Sequence, residues 1–145
     1  MLIANETNFE KIREKIRKGK MPIIFTSNDD DLNRKVLEKE KISILLLNQN
    51  ERKDKLKQRN SGLNHVLAKI AKKNNISIGI NLDEIMESKN KARILSRINQ
   101  NIKLCNKSKL KMKFITINEK NKRNLHDLKS LGLILGMPTW MTKTL

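Results

Sequence analysis

The stretch Arg59-Asn60-Ser61-Gly62-Leu63-Asn64-His65-Val66-Leu67-Ala68-Lys69-Ile70-Ala71 carries the densest set of groups that could do chemistry. Ser61 is a residue type that caps helices, its hydroxyl accepting a free backbone N–H of a helix that begins near Leu63. Gly62 lets another backbone come close. At about 100° per residue, Leu63, Val66, Leu67 and Ile70 share one side of that helix, while His65, Lys69 and Lys72 share the other. With Arg59 just ahead, unpaired N–H groups and the positive end of the helix dipole face one space, which suits a phosphate. A plainer account covers the same residues: Ser61 only caps, and the lysines are solvated as on any amphipathic surface helix. His65, beside Lys69 and Lys72, reads as a hydrogen-bond donor to phosphate or base rather than as a general base.

A second set of polar groups lies on 90–108, where Ile94, Leu95, Ile98, Ile102 and Cys105 recur at helical spacing and turn inward. The opposite face then gathers Lys89, Arg93, Arg97, Gln100 and Lys107. Arginine offers a planar fork of donors that suits phosphate oxygens, so Arg93 and Arg97 are candidates for contact with a polyanion, although an exposed basic helix face needs no partner. Cys105 is the one cysteine, which excludes an intrachain disulfide, and it reads as a small buried thiol. Groupings for metal or nucleophilic catalysis are sparse. A metal-dependent phosphoesterase needs clustered His, Asp and Glu, and the histidines are His65 and His126 alone. Asp29-Asp30-Asp31 could attract hydrated magnesium, yet it stands where a helix N-terminus favours acids. No Walker loop, dinucleotide glycine pattern or Ser/His/Asp arrangement is visible, and no side chain is assigned a catalytic or metal-ligating role.

The elements that must position these groups belong to a chain of 145 residues, for which one domain over 1–145 is the economical expectation. Against 15 acidic residues stand 32 basic ones, a formal charge of +17. A polyanionic partner is the first expectation, through Coulomb attraction and counterion release, and nucleic acid leads. A membrane surface fits less well, because the cations are spread along the chain and no segment approaches the roughly 18 apolar residues of a spanning helix. The first six residues show no charged region followed by a long apolar stretch, so no secretory signal is expected. Phe9, Phe25, Phe114 and Trp140 are the only aromatics, which argues against reading single strands with rows of stacked rings.

Residues 6–18 read as a helix with Phe9, Ile12 and Ile16 as its apolar stripe and Gly19 as a stop. Pro22 introduces the strand-like run Ile23-Ile24-Phe25, and Ser27 or Asn28 can cap a second helix through Leu32, Val36 and Leu37. The near-continuous apolar run 42–47 suits a strand covered on both faces. A lysine-rich connection, 48–60, leads into the opening stretch. Strands follow at 76–80 and 112–117, with a short helical turn at 82–86 and the long helix 90–108 between them. Asn124 caps a last helix through Leu125, Leu128, Leu131 and Leu135, which Gly136 and Pro138 end. With 1–4 as a further strand, the alternation predicts an α/β fold of about five βα units, mostly parallel, with right-handed crossovers.

The string Arg-x-Ser-Gly-Leu-Asn-His-Val-Leu-Ala-Lys-Ile-Ala resembles the signature of the archaeal and eukaryotic ribonuclease P protein component 3 family, the thirty-kilodalton-type subunit. The likeness continues through Ile78-Gly79-Ile80-Asn81-Leu82-Asp83-Glu84-Ile85 and through Lys91-Ala92-Arg93-Ile94-Leu95-Ser96-Arg97-Ile98-Asn99-Gln100-Asn101-Ile102-Lys103-Leu104-Cys105. It ends in Asp127-Leu128 and Leu131-Gly132-Leu133-Ile134-Leu135-Gly136-Met137, and so covers 59–137. The resemblance implies a TIM-barrel-like βα repeat, which five units leave incomplete or open. It also implies that the chain binds and stabilises the catalytic RNA that removes the 5′ leader from precursor tRNA, magnesium being expected with that RNA. The implied partners are component 2 and other ribonuclease P subunits, in the cytoplasm. Contacts to RNA or partner would come from Arg59, Ser61, Gly62, Asn64, His65, Lys69 and Lys72, then from Arg93, Arg97, Gln100, Asn101 and Lys107, giving affinity without sequence reading. The segment 118–128 departs from the family's Ser-Gly-Ala turn and Leu-Arg-Ser-Pro-x-Asp-Leu motif, of which Arg123 and Asp127 preserve part. Two other readings use the same residues: a free-standing metal-dependent phosphoesterase or nuclease, and a general binder of structured RNA.

Overall fold

The structure is a computed structural model that describes residues 2–145, so Met1, part of the expected first strand, lies outside the described residues. Five strands, β1 (Leu2–Ala4), β2 (Ile23–Thr26), β3 (Ile44–Leu47), β4 (Ser77–Asn81) and β5 (Met112–Ile115), form one sheet in that spatial order. Every neighbouring pair is parallel. Seven α-helices link and follow them: α1 (Phe9–Lys18), α2 (Asp30–Lys39), α3 (His65–Lys73), α4 (Leu82–Glu87), α5 (Lys91–Lys107), α6 (Leu125–Leu135) and α7 (Thr139–Thr142). The parallel pairing is what the alternation predicted, and the sequential strand order is that of the incomplete, open βα barrel that the resemblance implied.

Period-two alternation along the strands divides the core in two. Ala4, Ile23, Phe25, Leu45, Leu47, Ile78, Ile80 and Met112 join the helices in one large cluster. Ile24, Leu46 and Ile115 form a smaller one on the other face, with Ile3 and Ile44 packed against it. Removing a side chain such as Phe25 from water contributes about 1.5–3 kcal/mol, and thirty-two hydrophobic residues are buried among those described. Cys105 is one of them, and burial pushes its thiol up to about 12. It is the small buried thiol that its spacing implied.

Helix starts follow local capping chemistry, not always at the expected residue. In α1 the cap is Asn8, so the helix begins at Phe9 rather than residue 6. Asp29, not Ser27 or Asn28, caps α2: its Oδ1 accepts the N–H groups of Asp31 (3.0 Å) and Leu32 (3.3 Å). That is the capping role the acidic run suggested. In α6 Asn124 caps as predicted, accepting the Asp127 N–H, and Gly136 closes the helix in the left-handed region at φ +100°. Leu125 stands half exposed on the first turn of α6.

The largest correction concerns α3. Asn64, not Ser61, is its cap, accepting the Leu67 N–H at 2.9 Å, and the helix starts at His65. Its buried face is Leu67, Ala68 and Ala71, whereas Val66 is exposed. The inward face is therefore rotated by about one residue from the Leu63–Val66–Leu67–Ile70 stripe, because two small alanines let the helix lie close to its neighbours. Leu67→Ala should open a cavity and lower stability by about 2–4 kcal/mol, while Val66→Ala should change it by about 0.5 kcal/mol or less. Urea midpoints of the two variants check this, and equal losses would reverse the assignment of the face.

Candidate nucleic-acid interface

Between β3 and α3 the chain runs for seventeen residues, 48–64, without regular structure. Backbone over such a length must find partners, and side chains from α4 and α5 supply many of them. Glu84 of α4 accepts the N–H groups of Gln49 (2.8 Å) and Asn50 (3.1 Å), fixing the exit from β3. Burial raises the Glu84 carboxyl above its ordinary range, against the pull of those two donors. Arg52 forks onto Asp30 at the start of α2, with both contacts at 3.0 Å, and its Nε donates to the Asn48 carbonyl at 2.6 Å.

Arg97 does the most. Only 3% exposed, it leaves α5 and passes inside the connection. Its Nη1 donates to the Gln49 carbonyl and its Nη2 to the Arg52 carbonyl, each at 2.8 Å. Nε and Nη2 both reach Asp54 Oδ1 at 3.1 Å, an oxygen that also accepts the Asn60 N–H at 2.9 Å. That N–H, followed by Arg97, holds the Asp54 carboxyl below the usual carboxylate range despite its desolvation. Arg97 is therefore not on the outward face of α5, and its helical position was misread because the connection folds over it.

Four other expected contact residues also turn inward. Ser61 is 1% exposed; its carbonyl accepts from Gln49 Nε2 (2.9 Å) and Asn101 Nδ2 (3.3 Å), and its hydroxyl from Gln100 Nε2 (3.3 Å). Asn101 is buried and braces the loop, while Gln100 also donates to the Arg59 carbonyl at 3.4 Å and remains partly accessible. Gly62 adopts φ +76°, and an added Cβ there would stand 2.4 Å from Arg52 Nη2. The group that approaches Gly62 is thus a guanidinium, not a backbone.

What these braces present is basic. Lys55, Lys57, Arg59, Asn64, His65 and Gln100 line a cleft of about 910 Å³ between the connection and α5, and the two acids on its wall, Asp30 and Asp54, are each paired with an arginine. His65 also borders a second depression of about 400 Å³, whose other walls are Lys69, Lys72, Lys107 and Ser108. The two run together as one cationic strip over α3 and α5. Lys72 is anchored there by donating to the Lys109 carbonyl at 2.8 Å. Arg59, Asn64, His65, Lys69, Lys72 and Lys107 are therefore brought together. Arg93 is exposed but borders a separate small hollow beside Asn90 and Arg97, and Arg123 lies on the exposed segment before α6, its Nη1 bonded to the Lys120 and Lys122 carbonyls. Lys55 and Lys57 were missed, although the lysine-rich composition of 48–60 was the available signal. Among the described residues, no group of three His, Cys, Asp or Glu could hold a metal ion, and no helix is long and apolar enough to cross a membrane.

Three outcomes follow from the braces. Arg97→Ala should cost about 2–4 kcal/mol in a urea melt, since charge-assisted bonds to two carbonyls and a carboxylate are lost; Arg93→Ala should leave the midpoint unmoved. Gly62→Ala should cost about 1–3 kcal/mol by forcing a left-handed alanine against a fixed guanidinium, again read from the midpoint. Asp54 binds its proton more weakly folded than unfolded, so its contribution is complete above the ordinary carboxyl pKa of about 3.9 and is lost as pH falls through the depressed folded value. Asp54→Asn should flatten that acid limb of a stability–pH profile; an unchanged slope would show that the carboxylate contributes nothing.

No family model matches the chain. Curated relatives do: ribonuclease P protein component 3 of Methanococcus vannielii is 32% identical over 109 residues, 74% of this chain and 45% of the relative. The protein of the same name from Methanococcus maripaludis strain C7 is 30% identical over 105 residues, 71% of this chain and 43% of the relative. The chain thus spans somewhat less than half the length of these relatives. In fold it matches a chain of a cryo-EM structure of archaeal ribonuclease P with mature tRNA, with a TM-score of 0.80 and 23% identity over 97% of this chain and 62% of that one. Signature residues, strand order and named relatives agree, and the chain is a homologue of the ribonuclease P protein component 3 family.

Proposed function

We propose that this chain serves as an RNA-binding protein subunit of ribonuclease P, holding the catalytic RNA that removes the 5′ leader from precursor tRNA. The observation that carries the reading is the cationic strip from Lys55 to Lys107, which from Arg59 onward sits on the part of the chain that resembles the family signature. Its donors are lysines, one arginine and a histidine on two packed helices and a braced loop. Such groups meet phosphate oxygens and position an RNA without reading its bases. Component 2 is the proposed protein partner, magnesium would accompany the RNA, and the setting would be the cytoplasm. The formal charge of +17 supplies long-range attraction for that assembly.

Precursor-tRNA cleavage by a methanogen ribonuclease P RNA with component 2, at moderate magnesium, should be stimulated when the chain is added. Stimulation must vanish when the RNA is omitted; cleavage by the chain alone, lost with EDTA, would instead point to a metal-dependent nuclease. Equal binding to unrelated structured RNAs would point to a general binder. Replacing Lys69, Lys72 and Lys107 together by alanine should lower the slope of log affinity against log salt by about 2–3 without changing the melt. An unaltered slope would take the strip out of the RNA contact.

A further inference from the structure

At the middle of the connection the chain turns back on itself. Lys55 and Gln58 exchange backbone hydrogen bonds, 2.9 Å from the Lys55 N–H and 3.4 Å from the Gln58 N–H, around a two-residue tip of Leu56 and Lys57. Leu56 is 106% exposed, above every other large exposed hydrophobic among the described residues. Turn chemistry does not ask for leucine, since such tips favour Gly, Pro, Asn, Asp and Ser. Nor is the tip a free loop, because Asp54, immediately before it, is clamped by the buried Arg97 and by Asn60.

The tip carries charge around the leucine. Lys53, Lys55, Lys57 and Arg59 are all exposed, and Asp54, the one acid among them, already faces Arg97. Lys55, Lys57 and Arg59 line the larger cleft, whereas Leu56 does not and stands on its crest. The buried core of a protein interface is depleted of lysine, and the immediate sequence neighbours of Leu56 are Lys55 and Lys57. A polyanion that can also take an apolar side chain between its bases fits both features.

We propose that Leu56 is a wedge that enters the base stack of bound RNA where a helix is interrupted, with Lys55 and Lys57 on the flanking phosphates. This rests on the RNA-binding reading above. An apolar side chain driven between base steps unstacks them and bends the backbone toward surrounding cations. Stacking is weakest beside an unpaired base, and side chains cannot read the deep groove of an unbroken A-form duplex, so the wedge selects a bulge or loop edge.

The test uses the full chain and two RNA hairpins, one with a single bulged purine and one fully paired, each with a fluorescent base analogue at the same step. The wild type should bind the bulged hairpin more tightly and raise its fluorescence by unstacking. Leu56→Ala should lose that rise and weaken binding to the bulged hairpin about tenfold, in keeping with one buried leucine, at unchanged salt slope and melting temperature. Leu56→Phe should retain the rise. Wild-type affinity and fluorescence in Leu56→Ala overturn the wedge, and if Lys55→Ala with Lys57→Ala still lowers affinity and slope, the RNA-binding reading stands without it. Failure of the wild type to bind both hairpins also overturns the wedge, and failure to bind ribonuclease P RNA as well removes the reading beneath it.

Discussion

The buried guanidinium of Arg97 is the constraint on which the interface depends. A charge taken out of water is stable only if its donors are met, and here four contacts, to Gln49, Arg52 and Asp54, meet them. Those acceptors all lie in a segment that has no strand or helix of its own. One side chain from α5 therefore pins the first half of the irregular connection, 49–54, from within. Arg52 extends the same web to α2 through Asp30, and Glu84 ties it to α4. Backbone held in this way has already lost its freedom, so on meeting an anion only the lysine side chains remain to be ordered.

Much of the architecture was legible in the residues. Apolar runs such as Ile44 to Leu47 and Ile78 to Ile80 declared buried strands, and the alternation of strand and helix declared a mostly parallel sheet. Asn124 and Gly136 marked the bounds of α6 because capping and left-handed closure are local chemistry. The inward turn of Arg97 was not legible, since an arginine on a helix is read outward by default, and only the fold of the connection over α5 buries it. Ser61 and Asn64 present the same difficulty in small. Both are good caps three residues apart, and which one serves depends on where the Ser61 carbonyl is needed, a question settled by Gln49 and Asn101 from elsewhere in the chain.

The site divides along the same line. His65, Lys69 and Lys72 share a face because helical periodicity puts them there, and Lys107 joins them through the packing of α3 on α5. Lys55 and Lys57 have no periodicity to announce them. Their place beside Arg59 follows from tertiary bonds to Asp54 and Ser61, which no local pattern encodes. In a protein this basic, composition predicts a polyanionic partner but not which cations stand together. Geometry chooses which.

The sequential order of the strands bears on how such a chain reaches its shape. Each of the four pairings joins strands that are neighbours in sequence, so no ladder closes a loop longer than one βα unit. Loop-closure entropy is then spread over several small steps rather than one large one. One of those steps, β3 to β4, spans the irregular connection and α3. Its partner residue Arg97 arrives only after β4, so the connection would be the last part of that unit to lose its freedom, set in place from behind by a helix synthesised later.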